Sequence, residues 1–417
     1  MRNIKEYGAV GDGIALDTAA IQSAIDAGGM VYIPEGVYRT GTIYLKSNGG
    51  LYLAPGAVLL ASHDRADYNA DDYCPQNAVF SSEFVTGAHL ITAVEQENIT
   101  IMGQGKIDGE GHYWMNESNP IPYAPNEYAP NPERPAQMIF FAECKNLHVT
   151  DVQILNGPYW HLFFHGCEDV FVRGVTIRGD RPRWTNDGID IDCCKRVTVS
   201  DCIIDVGDDA IAIRAHKDPL LHSDGICENV VITNCVIRAD RDYGMRIGVG
   251  AGWIRHCAIS NMDIEAPNCG GIGIMSRWCA QTKLCTSISD LTISNANIRA
   301  HQPLQVVVGF ENVPMPQECF TRNVHLSNLQ LFPLSNNVFL GTDEIPLTGV
   351  TADNLTINLP ADVPCRDDML TLRNVHGLSM TNLRICRETS AARPREDILS
   401  HIQLESCHDI TINGKKF

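Results

Sequence analysis

The chain has 417 residues and a formal net charge of −18 at pH 7, from 32 basic and 50 acidic side chains. It contains no Lys/Arg-rich run, which argues against nucleic acid as a partner. No apolar run approaches the roughly 18 residues of a membrane span. Nucleic-acid binders and membrane-spanning proteins are therefore the classes that composition argues against first.

The N-terminal residues and the cysteines bear on the cellular compartment. Met1 to Tyr7 contain no apolar signal-peptide segment, and 16 cysteines without an export signal suggest reduced thiols. No CxxC pair occurs, so we predict no metal site and no cofactor. Several cysteines in or beside apolar runs are predicted to be small buried hydrophobes, namely Cys144, Cys167, Cys193, Cys202 and Cys235. We predict a cytoplasmic protein.

The first element in chain order is a short helix. Asp17 or Thr18 is a suitable N-cap, and an apolar stripe follows, formed by Ala20, Ile21, Ala24 and Ile25. Gly28-Gly29 ends the helix, and residues 30–34 read as a strand. This helix is predicted to cap the open end of a stack of strands. Residues 1–60 would form the cap and first coils, and residues 61–417 the remaining coils of the same domain.

A degenerate repeat then runs through the chain. Each unit has a polar residue, often Asn, then an apolar–x–apolar strand, a polar corner and a second short strand. Its instances begin at Asn98, Asn146, Asp169, Arg196, Asn229, Asp290, Asn323 and Asp409. Most well-matched neighbours lie about 23 to 33 residues apart, too close for a βαβ unit. The pattern predicts an all-β, single-domain parallel β-helix.

Two stretches interrupt the repeat and are predicted to be loops. The segment from Tyr113 to Pro135 is rich in Pro, Asn and Tyr, and His216 to Gly225 follows a strand-like run. Long loops on a rigid solenoid often line a binding site.

Three aspartates lie in two short segments separated by about one coil. Thr185 to Asp190 reads TNDGID, Gly207 to Ala212 reads GDDAIA, and Asp187 precedes Asp208 by 21 residues. Stacked coils would place the two segments side by side. Crowded carboxylates divide into protonated and ionised groups, as a general acid and base require. Because adjacent Asp208 and Asp209 would alternate on a strand, a bend after Gly207 is predicted.

These two segments, together with three others, resemble segments of glycoside hydrolase family 28, the polygalacturonase family. Residues 7–13 (YGAVGDG), 107–111 (IDGEG) with Trp114, and 156–160 (NGPYW) are similar to family segments, and TNDGID and GDDAIAI to its catalytic motifs. The resemblance runs from about residue 5 to 300 and implies a right-handed parallel β-helix. It implies that Asp208 is the general acid and that Asp187 and Asp209 activate water. Inversion would follow, with the acid and base roughly 6.5–9.5 Å apart.

The resemblance is lost at positions where the family has His, Arg and Lys. Tyr243, Gly273 and Met275 stand there, and the family cations are thought to hold the sugar carboxylate. One interpretation is that specificity has moved away from galacturonate, and the other is that Arg246 and Arg277, which lie near these positions in sequence, replace the missing cations. The candidate substrate-binding residues are Tyr243, Arg246, Arg214, His216, Trp184 and Arg277. Asp190, Asp192, Asp201 and Asp205 are interpreted as corner residues.

The leading hypothesis is an exo-acting, inverting glycoside hydrolase of pectic or related oligosaccharides. One alternative is a β-helix enzyme of other chemistry, such as a lyase, an epimerase or a glycan transferase. The other is a non-catalytic carbohydrate-binding solenoid, which has no need for three clustered aspartates. The expected partner is an oligosaccharide, and the sequence leaves the oligomeric state open.

Overall fold

The computed structural model describes residues 1–77, 83–121, 124–180, 185–276, 285–309, 319–360, 366, 368–387 and 398–417, with only the backbone for 116–121, 124–130 and 398. It divides into two compact units. Unit 1 comprises residues 1–210 and 217–224, and unit 2 comprises residues 211–216 and 225–417. No helix in the described part of the chain is both long and apolar enough to cross a bilayer.

Short strands make up most of both units. The α-helix α1 spans Thr18–Asp26, and the 3-10 helices span Ile4–Tyr7, Arg65–Asp67, Gly111–Trp114 and Ile398–His401. The strands of unit 1, numbered β1 to β21, are Arg2–Asn3, Asp12–Leu16, Met30–Ile33, Gly36–Thr40, Ile43–Tyr44, Gly49–Leu53, Ala57–Ala61, Ile91–Val94, Glu97–Gly103, Lys106–Asp108, Met115–Ile121, Ala124–Pro130, Ile139–Ala142, Lys145–Thr150, Gln153–Leu155, Leu162–His165, Glu168–Arg173, Thr176–Arg178, Ile189–Asp192, Lys195–Ser200 and Ile203–Asp205. Those of unit 2, β22 to β38, are Ile211–Ala215, Ile226–Thr233, Val236–Arg238, Tyr243–Gly250, Trp253–Ser276, Ser287–Val308, Thr321–Pro333, Asn337–Leu340, Leu347–Thr348, Val350–Leu359, Leu370–Arg373, Val375–His376, Ser379–Thr381, Arg384–Arg387, Ile402–Glu405, Thr411–Ile412 and Lys415–Lys416.

Each strand pairs in parallel with its counterpart in the next coil. In unit 1, β13 pairs with β16 and β16 with β19, while β14, β17 and β20 form a second such row. The row of β15, β18 and β21 is the third. Three strands per coil with aliphatic side chains stacked inside confirm the predicted parallel β-helix. In unit 2 the same parallel stacking joins β26, β27 and β28. A single domain over residues 1–417 stays a prediction.

The predicted N-terminal helix and the strand after it are confirmed. Ile21, Ala24 and Ile25 of α1 are buried, and β3 follows. Asp17 occupies the N-cap position, but its carboxylate does not cap the helix. It accepts instead the backbone N–H groups of Val10 (2.6 Å) and Gly11 (3.0 Å), which fixes the preceding turn.

The first residue of every predicted repeat adopts the left-handed conformation. All eight have φ between 53° and 59°. Asn and Asp tolerate this region better than other residues with a Cβ, which explains the recurring Asn in the sequence pattern. Corner asparagines in successive coils also hydrogen-bond to one another. In unit 2, such a ladder links Asn261, Asn295, Asn328 and Asn354 at 2.8–3.3 Å.

Asn295→Ala is expected to lower the stability of unit 2 by about 1–2 kcal/mol, mainly because Ala resists the left-handed conformation at φ 55°. Asn295→Gly should lose much less stability, because glycine adopts the left-handed backbone conformation readily and only the ladder hydrogen bonds are removed. The urea midpoint of the three proteins measures this, with exposed Thr292→Ala on the same strand as control. Equal midpoints for the Ala and Gly variants would show that backbone conformation is not the cause.

The cysteines largely follow the prediction. Cys144, Cys167, Cys193, Cys202 and Cys235 are buried free thiols, and burial raises the pKa of the Cys144 and Cys167 thiols well above the usual value. A disulfide joins Cys285 and Cys319 in unit 2. The expectation of wholly reduced thiols is therefore wrong at this pair.

One of the two predicted loops is wrong. Within residues 113–135, β11 and β12 pair as an antiparallel hairpin, because the Pro and Asn residues that hide the strand pattern still permit an extended backbone. Residues 216–225 contain no helix or strand, as predicted.

Candidate active site

Residues 185–190 and 207–210 of the two aspartate segments lie side by side in unit 1. The Gly188 N–H donates to the Asp209 carbonyl (2.9 Å), and the Ile189 N–H donates to the Ala210 carbonyl (3.0 Å). The offset is 21 residues, the spacing from which adjacency was predicted. Gly207 and Asp208 form a bend rather than a strand, so the predicted bend after Gly207 is confirmed. The backbone thus brings Asp187, Asp208 and Asp209 to one place.

Asn186 ties the two segments together. Its side chain is fully buried, its Oδ1 accepts the Gly207 N–H at 2.8 Å, and its Nδ2 donates to the Asp180 carbonyl at 2.8 Å. An amide can serve a donor and an acceptor at once. The asparagine before Asp187 therefore fixes the position of the bend that carries Asp208.

The three carboxylates differ in exposure and in backbone contacts. Asp187 and Asp209 are 4% and 2% exposed, while Asp208 is partly exposed. Asp208 Oδ2 accepts the Thr185 N–H at 2.6 Å, and Oδ1 accepts the Asp209 N–H at 3.1 Å. Asp208 is thus the most accessible of the three, and its carboxyl group has a fixed orientation.

His161 donates two hydrogen bonds to the backbone carbonyl of Asp187. Its Nε2 accepts the Gly157 N–H (2.9 Å), so the ring proton lies on Nδ1, which donates to the Asp187 carbonyl (2.8 Å). The His161 N–H reaches the same carbonyl at 2.9 Å. His161 is fully buried and directly follows the NGPYW segment. Sequence reasoning missed it because its partner lies 26 residues away.

Two aspartates interpreted as corner residues are strand residues instead. Asp190 and Asp192 alternate along β19 with the core residues Ile189 and Ile191, and all four are buried. Asp192 lies 3.4 Å from the Nδ1 of His165 in the paired strand β16. Alternation on a strand puts both carboxylates on the face opposite the core. Asp205 likewise ends β21, whereas Asp201 is a corner residue with φ 58°.

A second acidic group in unit 1 includes Glu95, Glu143 and His222, which offer ligand atoms within 4.8 Å of one another. Gln76 Nε2 donates to both carboxylates (3.2 and 2.8 Å). The His222 N–H donates to Glu143 at 2.5 Å. These bonds satisfy the two glutamates without a cation, so we interpret the group as a tether for residues 217–224.

Comparison with known proteins identifies the family. The sequence profile of glycosyl hydrolases family 28 matches residues 76–367, more than half of the chain. The chain belongs to glycosyl hydrolase family 28. A second profile, rhamnogalacturonase A/epimerase, pectate lyase-like, matches residues 1–57.

Among curated proteins, the chain is similar to an exo-poly-alpha-D-galacturonosidase of Dickeya chrysanthemi, with 30% identity over 51% of this chain and 42% of that protein. It is also similar to a probable polygalacturonase of Vitis vinifera, with 28% identity over 52% of this chain and 44% of that protein. The matched region thus spans less than half the length of these relatives.

Solved structures show the same fold. An exopolygalacturonase of Thermotoga maritima matches with a TM-score of 0.67 and 18% identity, covering 100% of this chain and 92% of that one. The family 28 exopolygalacturonase of Yersinia enterocolitica matches with a TM-score of 0.68 and 17% identity, covering 99% and 78%. The fold is therefore the right-handed parallel β-helix of these enzymes.

In unit 2, two departures from the family pattern, Tyr243 and Gly273, depend on each other. A Cβ on Gly273 would lie 2.8 Å from the Tyr243 ring, and one on Gly270 would lie 2.2 Å from it. The tyrosine is 8% exposed, and its hydroxyl donates to Gln305 Oε1 at 3.0 Å. The Tyr243 ring therefore fills the space that a side chain at position 273 would need.

The other predicted binding residues are placed as follows. Arg246 pairs with Asp242 at 2.7 Å and lies opposite Gly273 in the next strand. Arg214, on β22, and His216, just after it, are partly exposed. Trp184 and Arg277 lie outside the described residues. The binding roles of all six stay predictions.

Proposed function

We propose that this protein is an inverting glycoside hydrolase of pectic or related oligosaccharides. Asp208 would protonate the leaving oxygen, and Asp187 with Asp209 would activate the attacking water. The observation that carries the proposal is the side-by-side packing of the two aspartate segments, in which Asp208 is the most accessible of the three aspartates. Family membership supports the same chemistry.

We also propose exo-action, that is, release of a terminal unit. The support is the similarity to the exo-poly-alpha-D-galacturonosidase of Dickeya chrysanthemi. The hairpin of β11 and β12, inserted between coils of unit 1, is the kind of element that closes a groove at one end. A cytosolic location stays a prediction.

We further propose that residue 273 does not bind a galacturonate carboxylate of the substrate. Gly273 has no side chain, and the Tyr243 ring blocks any replacement. A nearby pocket of about 470 Å³ in unit 2 presents the amides of Gln302, Gln305 and Asn336 beside aliphatic side chains, and Arg373 also lines it. Amides and aliphatic groups suit sugar hydroxyls and the apolar face of a sugar ring.

Tyr243→His/Gly273→Arg/Met275→Lys restores the family residue types and is expected to lower KM for trigalacturonate at least 10-fold, because two cations then bind the carboxylate. Gly273→Arg alone should give no gain and lower stability, since the Tyr243 ring remains in place. Steady-state kinetics of wild type and both variants measure this. A gain from the single substitution would show that Tyr243 does not block the site.

The function itself is tested by reducing-sugar release from trigalacturonate and from neutral and rhamnose-containing oligosaccharides. Proton NMR of the first product identifies its anomer, and an anomer opposite to that of the substrate is expected. Retention of configuration would exclude the inverting mechanism. An unsaturated product would indicate a lyase, and binding without cleavage of any substrate would favour a carbohydrate-binding solenoid.

A further inference from the structure

Thr185 has a backbone conformation that its side chain disfavours. Its φ is 60°, in the left-handed region where a β-branched residue is an outlier. Seven of the eight repeat starts reach the same region with Asn or Asp, whereas Thr185 has a β-branched side chain. Such a conformation persists only where the surroundings enforce it, and it often marks a functional site.

The conformation of Thr185 delivers one hydrogen bond to the aspartate cluster. Its backbone N–H points at Asp208 Oδ2, 2.6 Å away. Thr185 is 8% exposed, so water competes little for this donor. Together with the Asp209 N–H on Oδ1, this bond fixes the rotation of the Asp208 carboxyl group.

Arg134 enforces the conformation of Thr185. Its guanidinium is fully buried, and both terminal nitrogens reach Thr185 Oγ1, Nη1 at 3.2 Å and Nη2 at 3.3 Å. Nη1 also donates to the Pro158 carbonyl (3.1 Å), and Nη2 to the Glu83 carbonyl (2.6 Å). The planar fork of an arginine can hold these acceptors at once, whereas a lysine ammonium cannot reproduce the geometry.

We propose that Arg134 is a positioning residue for hydrolysis. It holds Thr185 in the left-handed conformation, so that the Thr185 N–H orients the carboxyl group of Asp208 toward the leaving oxygen. The inference rests on the proposed role of Asp208 as general acid. Arg134 has no contact with substrate in this proposal and acts only through Thr185.

The loss of rate caused by a misoriented Asp208 should depend on the basicity of the leaving group. Proton donation requires a defined direction from the acid oxygen to the glycosidic oxygen. A sugar leaving group is a strong base and needs that proton, whereas a 4-nitrophenolate leaves without it. Misorientation of Asp208 therefore slows cleavage of the natural linkage far more than cleavage of an aryl glycoside.

The experiment compares Arg134→Lys, Thr185→Ala and the double variant on two substrates of the same sugar, the oligosaccharide and its 4-nitrophenyl glycoside. We expect kcat on the oligosaccharide to fall about 10- to 100-fold in each single variant, with KM unchanged. On the aryl glycoside, kcat should fall less than threefold. The double variant should be no slower than the singles, because both remove the same support.

Two outcomes would overturn the proposal. Parallel losses on both substrates would mean that Arg134 serves folding alone, and additive losses in the double variant would mean that it does not act through Thr185. Arg255→Lys, in unit 2, is the control for loss of an arginine that is paired with a carboxylate at 2.7 Å. Urea unfolding reports stability for every variant.

If the wild type cleaves no glycoside, the proposed function fails, and the positioning role is still measurable. Carbon-13 NMR can follow the protonation of the Asp208 carboxyl group as a function of pH. Arg134→Lys should move that titration to higher pH, because a lost N–H donor destabilises the ionised carboxylate. An unchanged titration would overturn the positioning role independently of activity.

Discussion

Asp208→Asn is expected to reduce kcat/KM on the cognate oligosaccharide by about 10²- to 10⁴-fold, the usual contribution of a general acid. The amide keeps the size of the carboxyl group and can still accept the Thr185 N–H through its oxygen. It cannot give a proton to the leaving oxygen. Reducing-sugar release under steady-state conditions measures the loss, and the urea midpoint should remain close to that of the wild type.

Asp201→Asn is the matched control for this loss. Asp201 lies seven positions earlier, on an exposed corner with φ 58°, and Asn tolerates that conformation. This variant should retain full activity. If Asp208→Asn retained more than about a tenth of the wild-type kcat/KM, Asp208 would not be the general acid, and the neighbouring carboxylates would have to be reassigned.

Gly188→Ala is expected to lower both stability and activity, the activity by about 10²-fold. A Cβ at this position would lie 2.4 Å from the Ala210 carbonyl and 2.7 Å from Ile204 Cγ2. Neither group can move freely, since one is backbone and the other is a core side chain. The two aspartate segments must separate, and overpacking of this kind costs about 1–3 kcal/mol. Asp187, the preceding residue, moves with the segment.

Gly377→Ala separates steric from conformational effects. Gly377 has φ 71° and no atom within 4 Å of its Cβ position, so its loss of stability should come from backbone strain alone. Activity should remain unchanged in this variant. Equal kcat/KM for Gly188→Ala and the wild type would show that the close packing beneath Asp187 does not control its position.

The repeat pattern was sufficient to predict the coils and the proximity of the three aspartates. The eight predicted repeat starts share the left-handed conformation, and this local backbone requirement favours Asn or Asp, which occupy seven of the eight positions. The prediction failed for residues whose role depends on hydrogen-bond partners that are distant in sequence. Arg134 reaches Thr185 across 51 residues, and His161 reaches Asp187 across 26. Neither has a local signal.

Two errors have local physical causes. The frequency of aspartate in turns favours a corner interpretation of Asp190 and Asp192, yet strand β19 buries them on the face opposite the core. The hairpin of β11 and β12 was missed because Pro and Asn weaken strand periodicity without forbidding an extended chain. In both cases residue type alone was a poor guide to backbone conformation.

The tether formed by Gln76, Glu95, Glu143 and His222 has a consequence for dissecting the chain. Residues 217–224 belong to unit 1, although residues 211–216, which precede them, belong to unit 2. No single cut in the polypeptide yields both units whole. A fragment that ends at residue 210 lacks the segment that satisfies Glu143. A ribosome must therefore extend the chain past the first strand of unit 2 before unit 1 has all of its residues.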